Sequence, residues 1–404
     1  MNPTPEIQAN RYRYAIMALI IIPMSGLCID IFVPSLPEIS QYFGVAKSLA
    51  QLTVTMYMIG IGAMQLFSGA ISDSFGRKKP FLIGMALNII VTLLIPFSQN
   101  IDQLLYLRLV QGILVGLLIV PIRAIFADLF AGKEYHKITT YSTLAWSIGP
   151  IVAPAIGGYL QHYFGWQSTF YFLTIYNVIS FILILFFVPE TSLYRHPFNV
   201  VSLLKRYGQI LSHQEYIRAL IINGALYSLV ILFAIVGSFL IQKVLLFSPV
   251  EFGHMALLIG FSWFLGTMTN RFLIHVAADR KIMVCLWSLL IISIVSLIIV
   301  LNVSLNIYAI MIPTFVMVYV SGIVFPTNFA NALSYFPKIN ASANALFGAF
   351  IFLVPAFSSA VGTLLKSNSF IPLLMTDIGI IIFCLLVYYV KYCFKSVREA
   401  SFGA

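Results

Sequence analysis

Four ionisable residues fall inside long apolar stretches of this sequence: Asp30, Arg108, Asp377 and, nearer one end of its stretch, Arg123. Such groups are expensive in a bilayer and mark ion or substrate pathways by default. The chemistry they suit is proton exchange, because a carboxylate changes charge when its surroundings change. Asp30 lies about six residues from the end of its stretch and Arg108 about five, roughly 8–9 Å of depth at the helical rise. Equal depth permits a meeting between the first and fourth stretches, and Asp30 and Arg108 are therefore the candidate proton-coupling pair. Asp377 lies at similar depth in the last stretch and reads as an acid that faces a neighbour's backbone or sits protonated near the interface.

Other chemistries lack their residues. No HExxH, GxSxG or GxxxxGK[ST] pattern occurs, which argues against metalloprotease, serine hydrolase and P-loop ATPase chemistry. The four cysteines are scattered, without the spacing of a zinc site or a disulfide framework. No cofactor or metal is expected, and the chain does not read as an enzyme.

The elements that hold these charges follow from composition. Of 404 residues, 60% are hydrophobic and only 9% charged. A water-soluble shell needs about 25% charged residues, so the protein is a polytopic integral membrane protein. A bilayer core takes about 20 apolar residues per helix, and twelve runs meet that length. They cover 13–36, 49–71, 81–98, 103–127, 140–161 and 167–188, then 218–242, 252–274, 282–301, 306–330, 342–364 and 370–390. Strand-like alternation is missing, which excludes a β-barrel. The first run follows Arg11 and Arg13 and shows no small-residue cleavage pattern, so it reads as a retained helix.

The 23 Lys and Arg outnumber 13 Asp and Glu. In a membrane protein this excess marks cytoplasmic loops rather than a nucleic-acid partner. Arg11, Arg13, Arg77–Lys79, Lys133, Lys137, Arg195, Lys205, Arg206, Arg280, Lys281, Lys338, Lys391, Lys395 and Arg398 fall on one side, and only Lys47, Lys243 and Lys366 on the other. Both termini are therefore expected in the cytoplasm of a bacterial inner-membrane protein. The longest polar interval divides the chain into a six-helix bundle over 1–188, a linker over 189–217 and a second bundle over 218–404. In the linker Val201, Leu204, Tyr207 and Leu211 recur at helical spacing, as in an interfacial amphipathic helix.

A loop at the inner end of the second span reads Gly69-x-x-x-Asp73-x-x-Gly76-Arg77-Lys78-Lys79. Gly69 has no Cβ, which allows a neighbouring helix to approach. Asp73 suits a helix N-terminus, Gly76 supplies turn freedom and Arg77 can grip a carboxylate with two hydrogen bonds. A degenerate copy follows the eighth span, with Gly266, Arg271, Arg280 and Lys281. The fourth span carries Arg108-x-x-Gln111-Gly112-x-x-x-Gly116. The fifth carries Gly149-Pro150 and Pro154-x-x-Gly157-Gly158, residues that bend and tightly pack a helix.

These motifs resemble the major facilitator superfamily, and the fifth-span motif resembles that of its antiporters. Asp30-Ile-Phe-Val-Pro34-Ser-Leu-Pro37, Arg123-Ala-Ile-Phe-Ala-Asp128-Leu-Phe, Pro326-Thr-Asn328 and Ala341-Ser-Ala-Asn-Ala-Leu-Phe-Gly348 narrow the likeness to the Bcr/CflA group of drug/proton antiporters. The resemblance spans nearly the whole chain. It departs at Asn340–Asn344, where a Gly is expected before Ala-Ser-Ala. The first span also lacks the second acid that some broad-range relatives carry about two turns earlier.

The resemblance implies twelve transmembrane helices in two six-helix pseudo-repeats and a monomer that exchanges a small amphipathic molecule for protons across the bilayer by alternating access. It implies that Asp73, Arg77 and Asp128 form a cytoplasmic cluster steadying the outward-open state. Gly69, Gly76, Gly149, Pro150, Pro154, Gly157 and Gly158 join them as conformational-switch positions. Tyr57, Gln111, Tyr141, Trp146, Asn223 and Tyr227 are the candidate substrate-binding residues, with Met58, Trp263, Tyr319 and Asn328 on the same cavity helices. Export of one endogenous metabolite or siderophore, proton-coupled uptake, and a transport-dead receptor remain open alternatives.

Overall fold

The computed structural model describes residues 8–192, 197–336, 339–365 and 369–402. Arg195, Lys338 and Lys366, used above to orient the chain, lie outside the described residues. All twelve expected spans form helices long and apolar enough to cross a membrane. The first six are α1 (Arg11–Tyr42), α2 (Lys47–Phe75), α3 (Lys78–Phe97), α4 (Ile101–Leu129), α5 (Gly132–Phe164) and α6 (Gln167–Phe187). The linker forms α7 (Val200–Leu211). The second six are α8 (Gln214–Val244), α9 (Pro249–Phe272), α10 (Ala278–Asn302), α11 (Ile307–Ser334), α12 (Asn340–Gly362) and α13 (Ile371–Phe402).

Local chemistry sets the helix ends. Asn100, Asn199 and Asn306 each accept a hydrogen bond from the backbone three residues on, and Ser248 with Glu251 forms a capping box at the start of α9. Gly76 has φ +91, a turn conformation that side chains disfavour. Proline lacks the N–H that a helix needs, and α1 is accordingly broken into Arg11–Ile21, Met24–Asp30 and Leu36–Tyr42 around Pro23 and Pro34. The largest boundary differences are in α13, which runs to Phe402 rather than 390, and α5, which begins at Gly132 rather than 140. Hydropathy finds where a helix is in hydrocarbon, whereas its backbone hydrogen bonds continue into the polar region unchanged.

Lipid tails are as apolar as leucine, so packing rather than hydrophobicity joins the spans. Ile83, Leu87, Ile90 and Leu94 form an exposed stripe on α3, and Ile291, Ile294, Val295 and Ile298 one on α10. These are faces for the acyl chains.

The two six-helix halves meet along α2 with α12 and α5 with α9. Thr55 and Ser359 share a hydrogen bond of 2.7 Å, and the Gln51 amide donates to the Ile235 carbonyl at 3.0 Å. Near the end opposite the linker, hereafter the far end, Gln242 donates to the Pro34 carbonyl at 3.0 Å and Tyr159 meets His254 at 3.2 Å. At the linker end the halves part around a cavity of about 770 Å³, between α2, α4, α7 and the start of α12.

The linker helix departs from expectation. Its packed face is Leu203, Tyr207 and Ile210, and the Tyr207 hydroxyl donates to the Leu66 carbonyl of α2 at 2.6 Å. Burial pushes the Tyr207 phenol up to about 12, so it stays a donor. Val201 and Leu204 of the expected stripe are 77% and 56% exposed. Apolar residues cover more than half of the helix circumference, and bundle contact takes the edge centred on Tyr207.

Candidate functional site

Asp30 ends the middle segment of α1, buried where that segment packs against α5. Its residue is 8% exposed, and its Oδ2 has no hydrogen-bond partner. The carboxylate is on the face turned to the fifth-span motif: a Cβ built on Gly26 would lie 3.0 Å from Pro150 Cδ and 3.6 Å from Asp30 Oδ2. Asp30 is also within electrostatic reach of Tyr227 on α8, in the other half.

The expected Asp30–Arg108 pair is not formed; among the described residues no ion pair joins them. Arg108 is fully buried inside the first half, where it donates to Gln111 Oε1 at 2.6 Å and to the Cys28 carbonyl at 3.1 Å. Its guanidinium sits 4.5 Å from the Tyr57 ring centre, 4.9 Å from Phe32 and 5.8 Å from Phe170. The reason is rotation about the helix axis. Positions two apart on a helix point to opposite faces, so the turn that presents Cys28 to α4 turns Asp30 away.

Several expected binding residues are spent on the protein itself. Gln111 is fully buried and donates to Thr92 at 3.0 Å. Tyr57 donates to the Ser25 carbonyl at 3.1 Å. Asn223 donates to the Phe325 carbonyl at 3.0 Å and accepts from Asn328 at 2.9 Å, bracing α8 against α11. Tyr141 is 47% exposed. Met58 is buried, and the Tyr319 hydroxyl meets Thr269 at 2.9 Å.

The structure does bring Trp146 and Tyr227 together, with ring centres 6.3 Å apart. Tyr227 is also 6.3 Å from Trp263 and 6.4 Å from Phe352, and Trp263 lies 5.2 Å from Phe325. Trp146 donates to the Ser25 hydroxyl at 3.1 Å. An aromatic cluster thus joins the two halves near Asp30. Such rings suit contact with a flat apolar ligand.

At the linker end Arg77 joins two acids. Its Nε donates to Asp128 at 3.1 Å and its Nη1 to Asp73 at 2.5 Å. Burial opposes the Arg77 charge, but the hydrogen bonds and charges of Asp128 and Asp73 outweigh it and hold its proton more firmly than usual. Gly69 differs from expectation: an added Cβ would find only Val120 Cγ1, at 3.8 Å, so no helix approaches closely there. The α2–α4 contact tightens elsewhere, at Gly112, whose added Cβ would lie 2.1 Å from the Tyr57 carbonyl oxygen.

The fifth-span motif serves two neighbours. An added Cβ on Gly157 would lie 2.0 Å from the Ile31 carbonyl oxygen of α1, and one on Gly158 would lie 2.4 Å from that of Pro249 in α9. Pro154 offers its carbonyl to the same helix, 2.6 Å from a Cβ built on Gly253. Pro150 contacts α1 at Gly26, and Gly149 faces the Pro23 carbonyl, 3.0 Å from an added Cβ.

Sequence reasoning missed Glu190 and Thr191. Glu190 accepts from the backbone N–H of Arg77 at 2.9 Å and of Lys78 at 3.1 Å, capping α3 from the end of α6. Thr191 donates to Asp128 at 2.8 Å. The signal was present as Pro189-Glu190-Thr191, an acid directly after an apolar run. Among the described residues no cluster of His, Cys, Asp and Glu could hold a metal.

Comparison with known proteins fits this architecture. The sequence profile of the Major Facilitator Superfamily matches residues 18–359. A bicyclomycin resistance protein homolog of Haemophilus influenzae is 25% identical over 364 residues, covering 89% of this chain and 91% of that protein. Multidrug resistance protein MdtL of a Shewanella species is 29% identical over 45% of this chain and 46% of its own. The crystal structure of the human organic anion transporter MFSD10 superposes with a TM-score of 0.67 at 17% identity, over 94% of this chain and 99% of that one. With twelve spans, and with the profile matching most of its length, the chain belongs to the major facilitator superfamily of membrane transporters and, within it, resembles the Bcr/CflA group.

Proposed function

We propose that the protein exports small amphipathic molecules of the drug or xenobiotic type in exchange for protons, by alternating access across a bacterial inner membrane. The observation that carries this reading is Asp30, a buried acid with an unpartnered oxygen on the face turned to α5 and within reach of the other half. A buried ionised carboxylate without partners is costly, and a proton removes that cost. When the far end opens, the group regains water and can exchange its proton. Substrate held among the rings of Trp146, Tyr227 and Trp263 and a proton on Asp30 then favour different arrangements of the halves, which is what coupling requires. The far end is closed by contacts between the halves and the linker end is open. The Lys and Arg asymmetry supports a cytoplasmic side for that open end and for both termini. The names of the Haemophilus and Shewanella relatives support drugs as the substrate class.

The test uses proteoliposomes with a trapped pH dye and an inside-acid gradient, challenged with bicyclomycin and other candidate drugs. Drug-triggered proton efflux in the wild type and its loss in Asp30→Asn is the expected result. Efflux that survives the substitution moves the proton site elsewhere, with Asp377 next. No flux with any drug, from folded protein, refutes drug export and points to a narrow endogenous substrate.

A further inference from the structure

The linker-end cavity has a chemistry of its own. It holds about 770 Å³, the size of a small-molecule site. None of the aromatic residues clustered around Tyr227 lines it. Its charged lining is Asp73, Arg77, Arg123 and Arg206. Asp73 is taken by Arg77, which also holds Asp128. Arg123 and Arg206 are different: among the described residues neither makes an ion pair or a side-chain hydrogen bond with the protein.

Arg123 is six residues before the end of α4, about 9 Å inside the helix end, and it is largely covered by the protein. A cation in that position without an acid is expensive unless an anion or water meets it. Arg206 approaches from α7, whose place over the cavity is fixed by the burial of Leu203 and Ile210 and by the Tyr207–Leu66 hydrogen bond. Ser342 and Asn344, in the first turns of α12, complete the wall. The residue before that helix, Ile339, gives no side-chain cap, so nearby backbone N–H groups add donors and positive potential. Three arginines against the two aspartates leave a positive surplus. Guanidinium forks bind the oxygens of phosphate and carboxylate in pairs.

We propose that this cavity is an anion-binding vestibule, separate from the aromatic cluster around Tyr227, in which Arg123 and Arg206 hold a phosphate or carboxylate group. The group can belong to a soluble anion or to the headgroup of an acidic lipid.

The test is binding to the purified full-length chain, read without transport, so that its outcome is independent of the drug-export reading. Inorganic phosphate is titrated by calorimetry in neutral detergent. Dioleoylphosphatidylglycerol is compared with dioleoylphosphatidylcholine by native mass spectrometry. Wild type is expected to bind at least one anionic probe, and Arg123→Gln and Arg206→Gln each to weaken it roughly tenfold or more, as for a lost charged hydrogen bond. Lys243→Gln, a cation at the far end, is the unaffected control. Phosphate binding without lipid preference assigns a soluble anion; preference for phosphatidylglycerol that both variants lose assigns a lipid headgroup. Arg206 is exposed on its helix, so its substitution leaves the fold intact, and a thermal melt checks each variant. No binding of either probe by the wild type, or equal binding by both variants, overturns the proposal.

Discussion

Replacing Gly158 by Ala separates packing within one half from packing between halves. The new Cβ would lie 2.4 Å from the Pro249 carbonyl oxygen and 3.1 Å from its carbon. An ordinary contact needs about 3.5 Å, so α5 and α9 must separate by about 1 Å. Both atoms in the way are backbone, which no rotamer change can move. Overpacking of this kind costs about 1–3 kcal/mol. The collision exists only while the far end is closed, so the cost shifts the equilibrium toward a far-end-open arrangement by about 5- to 150-fold. Gly157→Ala is the control. Its Cβ would strike the Ile31 carbonyl at 2.0 Å, inside one half, so the penalty persists in either arrangement and appears as lost stability. Electron-spin distances between labels at Asp102 and Ser304, at the far ends of the two halves, read the difference. Gly158→Ala should add a longer-distance population that Gly157→Ala lacks. Identical distributions for wild type and folded Gly158→Ala, or an equal shift in Gly157→Ala, would refute the reasoning.

Further expectations concern the supporting contacts. Because Asp30 and Arg108 do not pair, the stability effects of Asp30→Asn and Arg108→Lys should add to within about 0.5 kcal/mol in detergent melts; a coupling well above that would show the pair exists. Arg108→Lys alone should cost about 2–3 kcal/mol, since one ammonium cannot replace the fork to Gln111 and the Cys28 carbonyl. Glu190→Gln removes the charge that caps the Arg77 and Lys78 amides and should cost about 1–2 kcal/mol, with faster hydrogen exchange at those two amides. Tyr207→Phe loses one hydrogen bond, about 1 kcal/mol, and should make trypsin cut at Lys205 and Arg206 several-fold faster; an unchanged rate would mean that the Leu66 contact does not hold α7 in place.

Much of the molecule is legible in the residue order. A bilayer imposes length and polarity on every crossing segment, so apolar runs locate the spans whatever their neighbours are. The Gly76 turn and the Arg77 cluster are legible for a related reason. Asp73 and Arg77 are one helical turn apart in sequence, and Gly76 is the residue that permits the turn. The burial of Asp30 and Arg108 is legible too, since an ionisable residue in an apolar run is kept off the lipid.

Rotation about each helix axis does not follow from counting. Hydropathy gives position along the axis, while the face a residue presents depends on which helices surround it. That is why Arg108 finds Gln111 and the Cys28 carbonyl rather than Asp30, and why Tyr57 and Asn223 hydrogen-bond to neighbouring helices. The same limit applies to α7, where one broad apolar surface could meet the bundle along either edge. Gly69 and Gly112 make the point for packing: each stands in a motif, yet only Gly112 touches a neighbouring backbone. Residue order alone determined the number of spans and the charges they carry, because the solvent dictates these locally. Tertiary structure alone decided which charges are neutralised, which aromatic rings face each other across the halves, and that Arg123 and Arg206 share a cavity without an acid to bind, because these depend on azimuth and on contacts between distant segments.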